Sequence, residues 1–250
     1  MGFAISIMSG LLGVGGGALM IPMMVYMLGL TQHKAHGTSL AVMSPIVLLT
    51  SIYYATHGQV DWVVAIELAV GGVIGAGIGA RLCTKVSATN LRKAFGVLLL
   101  LMGIKIVFDT FGSGDAVANG NLAINPSGII GIILVTLLGV ATGILSGLLG
   151  IGGGLIMIPS MVLLLGISQK MAQGISLAVI IPVSIAGAFS YSKQGNVSMP
   201  IGTWLAIGGI PGALLGAHLA IGMDPMYLKA IFALLMFFIG TTSILKKPVQ

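Results

Sequence analysis

Charge is what this sequence has least of. Asp, Glu, Lys and Arg together make up 6% of its 250 residues against 57% apolar residues, and the mean hydropathy is +1.13. Soluble domains carry about 25% charged residues, so a water-soluble fold is excluded and the chain is read as lying in lipid. Acids are scarcest, five against eleven Lys and Arg, for a net charge of +6. In a soluble protein that balance would raise nucleic-acid binding. Here the basic residues fall mostly in short loops and at helix ends, where they report topology, and no nucleic-acid partner is expected. The single cysteine, Cys83, cannot form an internal disulfide and reads as a small apolar residue near a helix end. The first apolar run has no basic segment before it, so no cleavable signal peptide is expected. There is no Ser/His/Asp set, no two-histidine metal spacing and no neighbouring pair of acids in a helix, and the fifteen methionines form no cluster with acids or histidines. Neither an enzyme nor a metal site nor a cofactor is expected. Gly13-x-Gly15-x-x-Ala18 fits a loose dinucleotide fingerprint, yet no strand precedes it and no acid follows at the required distance.

Glycine, by contrast, is abundant and patterned. Ser9-Gly-Leu-Leu-Gly-Val-Gly-Gly-Gly17, running on to Met20-Ile21-Pro22, returns 137 positions later as Ser146-Gly-Leu-Leu-Gly-Ile-Gly-Gly-Gly154 and Met157-Ile158-Pro159. The register holds without a gap from Ser9–Leu82 to Ser146–Leu219, with roughly half the positions identical. The reading is an all-α integral membrane protein of two homologous repeats with about four spans each, residues 1–111 and 127–250. A polar, Gly- and Asn-rich linker loop at 112–126 joins them. A glycine costs about 1 kcal/mol in a helix interior and a proline about 3, so each glycine run is a helix break. Length makes the break obligatory in the second repeat. Ser127 to Leu165 is 39 residues, roughly 58 Å as one helix against a hydrocarbon core of about 30 Å. A break at Gly150–Gly154 predicts a full helix over about 128–149 and a short one over about 155–165. The first repeat then has a shortened first helix and the same short second one.

A polar connection, Thr31 to Gly37, leads to a helix over about 38–56, whose counterpart covers about 175–191. Each carries a mid-membrane proline, Pro45 or Pro182, which frees a carbonyl one turn earlier that neighbours or water must satisfy. The next helices, about 61–82 and 200–220, carry Gly71, Gly75, Gly79 and Gly208, Gly212, Gly216, each trio on one face for close helix approach. The last helices cover about 91–110 and 228–245. Arg81, Lys85, Arg92 and Lys93 place their loop in the cytoplasm. If the glycine break only kinks a crossing helix, the repeats are parallel and the basic residues, membrane-embedded Lys105 left out, divide seven inside to three outside. If it is a hairpin, the repeats are inverted and the division is eight to two. The tally leans to inverted, an arrangement that recurs with broken helices in transporters.

The candidate binding residues follow from the breaks. Gly15, Gly16, Gly17 and Gly152, Gly153, Gly154 turn backbone N–H groups outward at the start of a short helix, where about half a positive charge resides, so an anion is held without a cationic side chain. The competing reading is that these glycines only permit close packing. Beside them, Gln32-x-x-Ala35-x-Gly37-x-Ser39 matches Gln169-x-x-Ala172-x-Gly174-x-Ser176. Thr38, Ser39 and Ser176 fit either a helix cap or a donor to an oxyanion, and His36 and its counterpart Gln173 are further donors. Glu67, opposite Trp204 in the repeat, is a proton-coupling candidate, since intramembrane acids often carry protons. Lys105 and Asp109, four apart, are expected to pair. Arg81 and His218 share a helix-end position, and snorkelling accounts for Arg81.

The paired Ser-Gly-Leu-Leu-Gly-[Val/Ile]-Gly-Gly-Gly runs with their following Ile-Pro, the Ala-x-Gly-x-Ser-Leu-Ala segments and the later Leu91-Arg-Lys-Ala-Phe-Gly96 with Gly103 resemble the sulfite exporter (TauE/SafE) family of membrane permeases over nearly the whole chain. The resemblance implies a permease for a small anion, often sulfur-containing such as sulfite or an organosulfonate, in the bacterial cytoplasmic membrane. A secondary transporter of about eight spans with a central anion site is therefore expected, its partners being the small anion and the lipid bilayer. An anion channel and a non-transporting scaffold subunit are the alternatives. Substrate, direction and homo-oligomerisation stay open.

Overall fold

The computed structural model describes residues 2–82, 88–111, 128–149 and 153–245. They form α1 (Gly2–Leu12), α2 (Gly17–Leu28), α3 (Gln32–Thr56), α4 (Trp62–Leu82), α5 (Ala88–Phe111), α6 (Ile129–Leu149), α7 (Gly154–Leu165), α8 (Gln169–Lys193), α9 (Met199–Gly222) and α10 (Pro225–Leu245). There is no strand among the described residues. Among the described residues, five helices, α3, α4, α8, α9 and α10, are long and apolar enough to cross a membrane. Bulky apolar side chains such as Phe108, Leu137, Trp204 and Phe238 stand exposed on the outside, as lipid contact requires of an integral membrane protein. The linker 112–126 lies outside the described residues, as do Cys83, Lys85, Lys246 and Lys247.

The glycine runs end helices as expected. α2 and α7 are 12 residues each, about 18 Å and too short to span. Gly16 and Gly153 start them in the left-handed region, at φ 78° in both. Gly29 and Gly166 end them the same way, donating to the Met24 and Met161 carbonyls.

One expectation is corrected. Residues 32–37 are helix, not connection, and so are 169–174: the caps are Thr31, which accepts the Lys34 N–H, and Ser168, which accepts that of Met171. Thr38, Ser39 and Ser176 therefore cap nothing. They stand two turns inside α3 and α8, fully buried.

Glycine brings backbones into contact. A Cβ at Gly71, Gly75 or Gly79 of α4 would strike the Thr136, Val140 and Ile144 carbonyls of α6, and one at Gly212 or Gly216 of α9 those of Phe3 and Ile7 of α1. Gly208 departs from its trio: a Cβ there makes only an ordinary 3.6 Å contact, to Phe3 N.

The same contacts give directions. α1 and α3 both run along α9 in its own direction: Gly2 and Gly10 meet Leu205 and Ala213, while Gly202 and Gly209 face Thr38 and Ile46. The chain thus reverses between α1 and α3, and the break with α2 forms the returning limb. α3 crosses α8 antiparallel, Leu40 reaching Gly187 and Ser44 Oγ donating to Ser184 Oγ at 3.1 Å beside Pro45 and Pro182. α5 and α10 are also antiparallel, Gly96 meeting Gly240 and Gly103 meeting Met236.

Candidate functional site

The two breaks meet in the core. A Cβ added at Gly154 would lie 2.9 Å from Val14 Cα, 3.1 Å from Gly13 O and 2.9 Å from Ser176 Oγ, and one at Gly13 would lie 2.7 Å from Gln173 Cβ. Met43 and Ile180, both fully buried, close over Gly15. Gly13, Gly15 and Gly16 all have positive φ, 71° to 78°. That left-handed conformation costs other residues roughly 1–2 kcal/mol, so these turns need glycine.

The polar groups around this point are neutral and underused. Ser9 lies beneath the Gly16 turn and Ser146 beneath the Gly153 turn, at 3.2 and 3.3 Å from a Cβ built there. Ser9 Oγ, Ser176 Oγ and Gln173 Nε2 are buried with no hydrogen-bond partner, in residues no more than 1% exposed. The Tyr54 hydroxyl approaches both Gly10 O at 3.0 Å and Gln173 Oε1 at 3.3 Å, and its one proton serves both incompletely. The Gly17 and Ala18 N–H groups at the head of α2 have no backbone acceptor among the described residues. No charged side chain is fully buried among those residues. Unpaired buried donors are rare and each costs about 1–3 kcal/mol. A cluster of them, all of hydrogen-bond-donating type, matches a ligand that accepts hydrogen bonds.

Of the residues expected from sequence, the fold brings together Gly15, Gly16, Gly17, Gly153, Gly154, Gln173 and Ser176. Ser39 joins through Met43, donating to its sulfur at 3.6 Å. Thr38 is engaged elsewhere, its Oγ1 accepting the Ser198 N–H at the head of α9 at 2.9 Å. His36 is half-buried on α3, one turn outward of Ser39. Gly152 lies outside the described residues. Glu67 is half-buried on α4, away from the breaks, with Oε2 shielded and without a hydrogen-bond partner. Lys105 and Asp109 pair at 3.3 Å, and His218 Nδ1 lies 2.8 Å from Tyr53 Oη. Sequence reasoning missed Ser9 and Tyr54. Both recur at the repeat spacing, as Ser146 and Tyr191, and that recurrence of polar residues in an apolar run was the available signal.

The family model described as "Sulfite exporter TauE/SafE" matches residues 1–106 and 122–249. The probable membrane transporter protein YdhB of Bacillus subtilis is 29% identical over 233 residues, 92% of each chain. A probable membrane transporter protein of Xylella fastidiosa is 30% identical over 221 residues, 88% of this chain and 80% of its own. One from Methanocaldococcus jannaschii is 27% identical over 254 residues, 96% and 91%. No solved structure matches the chain significantly.

Proposed function

The chain belongs to the sulfite exporter TauE/SafE family, whose relatives are named membrane transporters, and from that premise we propose that it is a secondary transporter of a small anion, sulfite or an organosulfonate, across the bacterial cytoplasmic membrane. The observation that carries this is the group of orphaned donors where the two glycine breaks meet. Taking an anion out of water costs several kcal/mol, while a hydrogen bond to a charged group contributes about 1.5–3 kcal/mol, so several donors are needed. Ser9, Ser176 and the Gln173 amide, with the N–H groups heading α2 and α7, supply them. Each of those helix heads adds its partial positive charge. Neutral donors also suit release, since a buried Arg or Lys would hold the anion more strongly.

The two halves, 1–111 and 127–250 joined by 112–126, are read as inverted repeats. Support comes from equivalent helices running antiparallel where they meet, α3 with α8 and α5 with α10. On this reading each half crosses an odd number of times, and Lys34, Arg81 and Lys193 fall on one face, as the charge tally favours. The halves would rock about the Ser44–Ser184 crossing to alternate access. Glu67 is the proposed proton carrier, supported by its shielded, unpartnered oxygen.

A thermal-shift panel of sulfite, thiosulfate, sulfonates and carboxylates on the purified protein tests the site, since a ligand of the folded state raises its stability. Sulfur oxyanions should raise Tm and carboxylates less. No shift with any anion defeats the proposal. Counterflow of the best ligand in proteoliposomes then separates a carrier from a pore.

A further inference from the structure

We propose that Gln169, Gln173 and Ser176 line a closed half of the substrate's path, entered at the membrane face where α8 begins, with Gln169 as its outermost station. The inference rests on the reading of the glycine breaks as an oxyanion site, and extends it. The three residues are spaced i, i+4 and i+7, one face of a helix, over about 10 Å of its axis. All are buried to 1% exposure or less. Four of their polar atoms have no hydrogen-bond partner: Gln169 Nε2 and Oε1, Gln173 Nε2 and Ser176 Oγ. Folded interiors satisfy nearly all such groups, and a purely structural position would carry an apolar side chain at lower cost. A line of orphans leading from the start of α8 to the head of α7 is instead what remains when a polar path closes without its contents.

The counterpart row shows the other state. Gln32, His36 and Ser39 occupy the equivalent positions of α3 with the same spacing, and there Gln32 is exposed, His36 half-buried and Ser39 buried. α3 and α8 are antiparallel, so the two rows approach the centre from opposite faces, one with its mouth open and the other shut. Two polar contacts tie the shut side to the end of α9: Lys170 Nζ donates to the Ile221 carbonyl at 2.7 Å, and Tyr53 Oη meets His218 Nδ1. The shut row offers amide and hydroxyl donors and no cation. It would therefore take a small oxyanion, passed inward from Gln169 to Gln173 and Ser176.

The test uses the full chain in sealed vesicles with Cys83→Ser, comparing Gln169→Cys with Gln32→Cys under a membrane-impermeant thiol reagent. Gln169→Cys should react only from the face where α8 begins, at least tenfold more slowly than Gln32→Cys, which should react only from the opposite face. No reaction at Gln169→Cys, or reaction from both faces, overturns the path. In a second arm, Gln169→Leu removes the orphaned amide. Its Tm should rise while sulfite uptake at low concentration falls at least tenfold; a raised Tm with unchanged uptake overturns the role of Gln169. One-sided, slow labelling in a protein that neither binds nor moves sulfite leaves the path standing and removes the sulfite reading beneath it.

Discussion

A methyl group at Gly16 meets two obstacles that can be separated by experiment. The left-handed backbone at φ 78° costs an alanine about 1–2 kcal/mol, and its Cβ would press on Ser9 at 3.2 Å. Gly29, at φ 64° with nothing within 4 Å, carries only the first. Gly16→Ala, Gly153→Ala and Gly29→Ala should therefore all lower Tm, the first two by more than the third. Only the first two should also lose the sulfite-induced rise in Tm and most of the transport. Equal ligand responses in all three would show that the breaks are turns and nothing more. Tyr54→Phe is the complementary change. It leaves the ring in place and strips Gly10 O and Gln173 Oε1 of their shared donor, so a loss of about 1–3 kcal/mol is expected, read as a lower unfolding midpoint. Gly15, Gly16 and Gly17 were legible from sequence because five glycines in an apolar run have no helical use. Tyr54 was not, because its role depends on Gln173, 119 positions away.

At the scale of elements, α4 against α6 shows how two helices are held together by what they lack. A Cβ at Gly75 would strike the Val140 carbonyl, whereas one at Gly77, half a turn round the same helix, meets nothing within 4 Å. Gly75→Ala should force the helices apart and lower Tm sharply. Gly77→Ala should be neutral or stabilise by about 0.5–1 kcal/mol, from the better helix propensity of alanine. Similar effects from both would deny that glycine contact sets this interface. The helix starts were the least legible elements. Thr31 to Gly37 is polar and holds a glycine, so it reads as a loop, yet packing overrides that propensity. Gly37 lies so close to the Asn196 carbonyl that only a residue without a side chain fits. This extension of α3 and α8 turned three expected caps into buried hydroxyls, and only one of them, Thr38, is engaged with the backbone of another helix.

For the whole molecule, the inverted reading predicts that both the Arg81–Lys93 loop and the C-terminus face the cytoplasm. A tag at the C-terminus, probed for accessibility in sealed cells, should be reached only from inside, and an external tag sinks the inverted arrangement. Glu67→Gln should abolish proton dependence of flux while leaving the sulfite-induced shift in Tm, since Glu67 stands on α4 apart from the breaks; proton-dependent flux that survives it removes that role. Some of this architecture was settled by the sequence alone. A 39-residue apolar run cannot cross a bilayer as one helix, and near-absence of charge leaves no solvent but lipid, because both are matters of length and composition. The reversal between α1 and α3 emerged only in the tertiary structure, and so did the difference between hydroxyls that find partners and those left bare. Those outcomes depend on contacts between halves, such as Thr38 with Ser198 at 160 positions, and local periodicity carries no information about pairs so distant.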